Sequence, residues 1–444
     1  MNQTELCLAP WLSPAQEAAL SQQLAACAER SGPQQLRLLL DLTPAALPGW
    51  LAAQNLFPRC FWTQRKGAFQ TAAVGQLQSW SDLTQVSAFL KTAPAELRVY
   101  GGWAFQPGAC LRKPWQDWPE ALFFLPEAEL RAEADGVYLC LNLRAEPAAR
   151  PAALQGLLAR LCPPRDLSDA PPRLQPLQHQ PDRKAWQDML QEALVLLSSS
   201  GPLDKLVLSR CSQSPMPDFD LRMIPRLLQT RRQAYYFWLQ PQPEQVLWGA
   251  SPERLYARQG VCLQTEALAG TRTWSADPLT NHHLQRDLLA SAKERAEQER
   301  VLQHLLQRLE PLSRSCRLNP LEIVVAGPVQ HLYRRLEAEL LPGVSDAQLV
   351  AALHPTPAVN GFPAERSPRY IQQLEPHARG WYTGALGWIS ADAAEWAVTL
   401  RAALWQNQQQ HFFTGAGIMP SSEPESEWLE LNAKLQSLLA LFDV

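Results

Sequence analysis

Apolar residues recur at helical spacing along PAQEAALSQQLAACAER (14–30), which predicts an amphipathic helix. LRLLLDL (36–42) and GVYLCLNLRA (136–145) alternate or run briefly apolar and read as strands. Residues 146–182 are Pro-rich at both ends around a short helical piece, which predicts a connector. From residue 183 the pattern sharpens. KAWQDMLQEALVLLSS predicts a helix, and LDKLVLSR, YYFWLQ, QVLWGA and VCLQTEALAG predict strands. One long helix is expected around 285–309, then a strand at EIVVAG and a loop at LHPTPAVNGFP. GALGWIS, EWAVTLRAALW and HFFTGAGI read as strands, and SEWLELNAKLQSLLALF as a closing helix. Consecutive strands joined by short turns, with few βαβ alternations, predict an α+β fold with large antiparallel sheets.

The 444 residues are 46% hydrophobic and 19% charged, enough for one large or two ordinary domains. A formal charge of −3 gives no broad basic surface, so no nucleic-acid partner is expected. Nine scattered Cys form no CxxC and no zinc-spaced Cys/His cluster, which points to reduced thiols in the cytoplasm. MNQTELCLAP lacks the features of a signal peptide, and no run reaches the ~18 apolar residues of a membrane span. A soluble cytoplasmic protein without a membrane partner is the expectation. There is no GxSxG, HExxH or P-loop, and the GAG at 415–417 lacks the third Gly of a dinucleotide fingerprint.

Two charged helices carry the chemistry that remains. In LLASAKERAEQERV (288–301), Glu294 and Glu297 fall on the stripe of Ala290, Val301, Leu302 and Leu305, while Arg295 and Glu299 point away. The ordinary alternative is a solvated face with weak ion pairs. Inward carboxylates are costly unless paired, hydrogen-bonded or on a metal. In SEWLELNAKL (426–435), Glu427, Glu430 and Lys434 flank the stripe of Leu431, Leu435, Leu438 and Phe442. Here the ordinary alternative is a surface Glu–Lys pair. Two such helices facing each other offer oxygen ligands to a hard cation such as Mg²⁺, which needs one or two carboxylates plus water and an anionic substrate.

LDKLVLSR, GASPERL, TEALAGT, SAKERAEQERV, QHL, LHPTPAV, RGWYTGALGW, VTLR, FTGAGI and EWLELNAK stand in the order found in the chorismate-utilising enzymes. The chain resembles that family strongly over 183–444, and loosely before. The resemblance implies a fold of large antiparallel sheets packed as a sandwich with helices outside. Residues 1–182 would be the N-terminal portion of that fold, ending in the 146–182 connector, and 183–444 the catalytic chorismate-binding region. SPERL, TEALAGT and the chain length resemble the isochorismate-forming branch of menaquinone biosynthesis; LHPTPAV resembles the siderophore-pathway branch.

The implied activity is a Mg²⁺-dependent, reversible isomerisation of chorismate to isochorismate, in which water adds at ring carbon 2 and the carbon 4 hydroxyl leaves. Chorismate is the small-molecule partner, and no obligate protein partner is implied. Lys205 matches the water-activating base and needs its proton affinity lowered by burial. Alternation sets it on one strand face with Val207 and Ser209; a strand-edge Lys that blocks aggregation is the alternative. Glu253 matches the acid that protonates the leaving hydroxyl, and needs a raised proton affinity. Alternatively it is a first-turn helix Glu after Ser251 and Pro252. Glu297 and Glu430 match magnesium ligands, with Glu294 and Glu427 as supporting acidic positions. Gly270 and Thr271 match substrate-contacting positions, and His354 a position beside the ring hydroxyls in siderophore-type relatives, with a structural His as the alternative. The enolpyruvyl carboxylate needs its own clamp: Arg401 can give a two-pronged contact, Gly417 close backbone approach, Tyr382 a phenolic hydrogen bond and Lys434 charge, with core and turn roles for the Tyr and Gly as the alternative. Ala292 stands where several relatives carry an acidic residue, and LELN replaces a common acidic-Thr-Gly variant beside Glu430.

Three other readings stay open on the sequence. A salicylate synthase would eliminate pyruvate from isochorismate in the same site. An aminating relative would use ammonia; Lys205 argues against its anthranilate branch but not against aminodeoxychorismate formation. A binding protein on the same fold would bind without turnover, although Lys205, Glu253, Glu297 and Glu430 are all present.

Overall fold

The computed structural model describes residues 11–67, 69–144, 146–168, 170–230, 233–326 and 329–443. MNQTELCLAP, with its expected lack of a signal sequence, lies outside the described residues. So do Ala145 and Gly327, the last residues of two predicted strands.

The strands form two large sheets, and every ladder between named strands is antiparallel. The first sheet has 12 strands among the described residues. It runs from Gln34–Leu40 through Gly136–Leu143, Ala128–Glu133, Gln70–Val74 and Arg59–Thr63. It continues through Tyr235–Gln242, Gln245–Ser251, Ala402–Gln406, Gln409–Ile418 and Lys205–Pro215, and ends at the short Gly361–Phe362. The second sheet, with 10 strands, is centred on Cys262–Thr273, Arg254–Gln259, Ala393–Val398 and Ala385–Ile389. Residues before 145 therefore extend both sheets. The predicted strands at 36–42 and 136–145 are neighbours in register, Leu36 opposite Leu141 and Leu38 opposite Leu139.

Alternation along these strands splits the apolar residues between two faces. Between the sheets lies an aromatic core containing Trp62, Tyr100, Phe124, Phe237, Trp381 and Phe413. Outside the first sheet, Leu20, Leu51, Leu154 and Leu435 bring helices onto it. Outside the second, Val86, Leu302, Leu305 and Leu349 do the same. This is the expected α+β sandwich with helices outside.

The 146–182 stretch contains the helix Arg150–Leu158, whose Leu154, Leu157 and Leu158 join the outer core. Its Arg150 guanidinium donates to the carbonyls of Cys27, Arg30 and Gly32. The long helix expected around 285–309 is instead two helices, Pro278–Ala290 and Ala292–Leu309. Ser291 is extended between them and its side chain accepts from the Glu294 N–H. A Ser at that point is a strong N-cap, so the second helix restarts there. Among the described residues, no helix is long and apolar enough to cross a membrane.

Candidate active site

A cavity of about 910 Å³, counting its open mouth, lies where the two sheets meet the helices Ala292–Leu309 and Pro424–Leu439. Strand alternation delivers its floor. On Lys205–Pro215, Val207 lines the cavity, while Leu206 and Leu208 pack into the core under the helix Arg183–Leu196. Lys205 shares the face of Val207 and sits just behind the lining, fully buried. Its Nζ lies 2.7 Å from Glu297 Oε1. It is no bare strand edge, since the ladder continues through Phe362.

Gly417 stands opposite Val207 on the neighbouring strand. A Cβ there would come 2.6 Å from Glu297 Oε1 and 3.1 Å from Lys205 Cε. The atom that must yield is a carboxylate held in an ion pair, so the displacement falls on the site and not on the fold. Gly417→Ala is expected to lower turnover by about 10²-fold, the cost typical of an ångström-scale misplacement. Its thermal unfolding should match the parent; parent-like kinetics would show that the pair moves freely.

Glu253 does not begin a helix. Ser251 ends one strand, Arg254 begins the next, and Glu253 lies between them, 3% exposed. The Ser251 hydroxyl accepts from the Glu253 N–H at 3.2 Å, and the Glu253 carbonyl accepts from the Val398 N–H at 3.1 Å. Burial, reinforced by the neighbouring Glu266 carboxylate, pushes the Glu253 carboxyl up to about 8. Lys205, a 3.4 Å hydrogen bond from Thr356 Oγ1, and Arg65 pull the other way.

The four helix carboxylates each meet a cation. Besides the Lys205–Glu297 pair, Lys434 lies 2.7 Å from Glu430, Arg272 lies 2.7 Å from Glu294, and Lys293 lies 3.1 Å from Glu427. Burial opposes ionisation of Glu297, but Lys205, Lys434 and Lys293 outweigh it and hold the carboxyl below its ordinary range. Burial and then Glu430 raise that of Glu427, against Lys293. Glu294 also accepts the Thr271 N–H at 2.9 Å. That contact needs the bulge at Gly270, where φ is +78° and a Cβ would stand 3.1 Å from Glu294. Glu294, Glu297 and Glu430 line the cavity; Glu427 lies behind them.

Gly270, Thr271, Tyr382, Arg401, Gly417 and Lys434 all line the same cavity. Tyr382 stacks on Phe413 at 5.4 Å, and burial raises its hydroxyl's proton affinity. Lys434 donates to the Gly415 carbonyl at 2.8 Å as well as pairing with Glu430. Arg401 holds a left-handed backbone, φ +47°, as does the adjacent lining residue Thr383, φ +61°. Such strain in non-Gly residues concentrates at functional sites. His354 is the exception. Its Nδ1 accepts from Trp103 Nε1 at 3.2 Å and its Nε2 lies 3.0 Å from the Thr383 carbonyl, so both ring nitrogens are taken outside the lining. Burial lowers it to about 4, keeping the ring neutral.

Four polar lining residues had no role assigned from the sequence: Lys293, His331, Thr383 and Thr414. His331 Nδ1 lies 3.1 Å from Thr271 Oγ1. Burial, then Arg401 and Lys434, bring it down to about 3. The Thr414 hydroxyl is buried without a hydrogen-bond partner among the described residues, leaving it for a ligand. His331 stood in the QHL motif and Thr414 in FTGAGI, so order alone marked them. Glu297 and Glu430, with Glu294 beside them and Glu427 behind, are the residues able to hold a metal. Among the described residues no three His, Cys, Asp or Glu side chains are gathered as a ready cage.

Residues 22–443 match the family described as chorismate binding enzyme. The chain belongs to that family. Isochorismate synthase MenF of Escherichia coli (strain K12) is 30% identical over 403 residues, 89% of this chain and 90% of that one. The vibriobactin-specific isochorismate synthase of Vibrio cholerae serotype O1 is 35% identical over 268 residues, 59% of this chain and 67% of that one. The solved structure of MenF, the menaquinone-specific isochorismate synthase from Escherichia coli, superposes with a TM-score of 0.86. It is 28% identical and covers 96% of this chain and 99% of its own. The match to a chorismate-binding family thus runs through both sheets and through every element that builds the cavity.

Proposed function

We infer that this protein is an isochorismate synthase, an isomerase that interconverts chorismate and isochorismate, acting in menaquinone biosynthesis. The observation that carries the chemistry is the placement of two buried groups at one cavity, Glu253 in its wall and Lys205 just behind it. The pathway rests on the relatives matched along nearly the whole chain.

In this reading Lys205 takes a proton from a water that adds to ring carbon 2. Glu253 gives a proton to the carbon 4 hydroxyl, which leaves as water while the ring double bonds shift. Its raised proton affinity supports that role. Arg401 clamps the enolpyruvyl carboxylate with its planar fork, Gly417 allows close backbone approach, and Tyr382, Thr271 and Gly270 fix the ring. Lys434 supplies further positive charge.

The donor set at Glu297 and Glu430 is all oxygen, and lysine ammonium groups already lie 2.7 Å from each carboxylate, so the site is built to meet positive charge, which fits a hard cation. The small number of ligands fits Mg²⁺, which keeps much of its shell as water and substrate. When bound, Mg²⁺ would neutralise the ring carboxylate of the substrate and fix its position. Glu294 in the lining and Glu427 behind it would support the metal.

The test is product identification by mass-resolved chromatography after incubation with chorismate and Mg²⁺, with and without ammonia. A chorismate–isochorismate mixture without ammonia is expected. EDTA-treated protein should be inactive and recover with Mg²⁺; metal-independent turnover would contradict the Glu297–Glu430 assignment. Salicylate with pyruvate, or an amino product only with ammonia, would overturn the isomerase reading.

A further inference from the structure

Every described residue that lines the cavity lies after position 206, yet an arginine from the first part of the chain reaches the acid's supports. Arg65 sits on the single turn Arg65–Gly67 between the strands Arg59–Thr63 and Gln70–Val74. Its Nη1 donates to the Pro252 carbonyl at 3.1 Å and its Nη2 to Glu266 Oε2 at 2.5 Å. The other oxygen of Glu266 accepts the Arg254 N–H at 2.7 Å. Arg65 and Glu266 therefore grip the residues on both sides of Glu253. Glu266 is 3% exposed, and the Arg65 guanidinium also lies over the Tyr235 ring, 5.1 Å from its centroid.

We propose that Arg65 and Glu266 form a clamp that positions Glu253 and sets the charge around it, so that residues 1–145 act on the chemistry of a cavity they do not line. This rests on Glu253 being the proton donor. A guanidinium fork that holds a carboxylate and a carbonyl together fixes geometry in a way a point charge cannot.

The charges facing Glu253 can be named. Lys205 comes from the strand beneath, Glu266 from Cys262–Thr273, Arg65 from its turn, and Thr356 adds a hydroxyl. Arg254, next in sequence, is turned to Tyr235, Gln264 and Glu395. The shared cavity also carries His331, Arg401 and the helix charges Lys293, Glu294, Glu297, Glu430 and Lys434. Among these, Glu266 raises the proton affinity of Glu253 and Arg65 lowers it. Without Arg65, Glu266 stands uncompensated and Glu253 keeps its proton to higher pH. Without Glu266, Glu253 loses it sooner.

The experiment measures initial isochorismate formation from about pH 6 to 10 for Arg65→Met, Glu266→Gln, the double variant and Arg65→Lys, with thermal unfolding of each. Arg65→Met should lower kcat about tenfold with KM nearly unchanged, and move the alkaline limb of the kcat profile up by about one pH unit. Glu266→Gln should move the limb down. The double variant should return the limb toward the parent while kcat stays low, because the grip is gone. Arg65→Lys should keep the limb and recover part of kcat. A purely structural role would lower stability and leave the limb in place. Unmoved limbs in both single variants would overturn the proposal; if Arg65→Met does not fold, the direction of the Glu266→Gln limb decides. Glu253→Gln separates the two failures: full activity there removes the acid itself, whereas an inactive Glu253→Gln with unmoved limbs removes only the clamp.

Discussion

Glu253→Gln is expected to fold like the parent and to lose turnover by about 10²–10⁴-fold, the usual worth of a positioned general acid. The substitution is nearly isosteric and keeps a hydrogen-bonding group beside Thr356 Oγ1. Only the transferable proton is lost. Stability should move in the opposite direction. The folded-state carboxyl, raised by burial and Glu266 to about 8, stands well above an ordinary glutamate at ~4.3. A group raised in this way contributes stability that is complete below the unfolded value and is lost as pH climbs through the folded one. Gln carries no such titration. The Tm of Glu253→Gln should therefore gain on the parent between about pH 4.3 and 8 and level off above. A dead enzyme with equal or better stability at pH 8 is a signature that a structural glutamate would not give. Parent-like kcat, or a Tm that falls behind the parent over that interval, would remove the acid assignment. The parent's own kcat should decline as pH rises through about 8, because the acid must be protonated to act.

What was legible in the sequence follows from the range of each signal. Period-2 and period-3.6 patterns are local, so the strands at 205–215 and 409–418 and the helix Pro424–Leu439 could be read directly. The inward phase of Glu294 was legible for the same reason, and it is 6% exposed. Ser291 was a readable N-cap inside a continuous periodic stretch, and the capping signal won over the period. Ser251-Pro252-Glu253 shows the reverse. Its local chemistry favours a helix start, but two long ladders on either side take the chain, and the Ser251 hydroxyl serves a strand junction. Tertiary pairing overrides a three-residue preference.

Lys434, four residues after Glu430 on one helix, was legible as its partner, but the other cations were out of reach for a different reason. The spacing placed Glu297 and Glu430 on helix faces but said nothing of Lys205 opposite the one and little of Arg272 opposite Glu294. Arg65 is further still, 201 residues from Glu266 in the chain. Nothing in its neighbourhood distinguishes it from Arg59 or Arg98, because its partners exist only once the two sheets have come together. The same holds for His331 and Thr414, which a motif could mark but only the cavity could gather. His354 was reached from the same motif order, and there the fold supplies partners that occupy both ring nitrogens.

Lys205→Ala carries the second large effect, a loss of about 10³-fold or more in turnover. Its interest lies in what should survive. Lys205 Nζ is the nearest cation to Glu297, and removing it leaves a carboxylate whose remaining compensation comes from Lys434 and Lys293. Deleting one member of a largely buried pair destabilises, here by about 1–3 kcal/mol given those two lysines. An oxygen ligand relieved of its ammonium partner is, however, more available to a hard cation. Mg²⁺ affinity, read by titration calorimetry, should therefore be retained or strengthened in Lys205→Ala while isochorismate formation disappears. Glu297→Gln should give the converse, weakened Mg²⁺ binding with Lys205 intact. Together the two variants divide a contact of 2.7 Å into a proton-transfer half and a metal-holding half. If Lys205→Ala loses Mg²⁺ and turnover together, the lysine's work is to hold Glu297 in place, and the base must be sought elsewhere on the cavity wall. If turnover persists, the buried ammonium is a structural counter-ion and water addition proceeds without it.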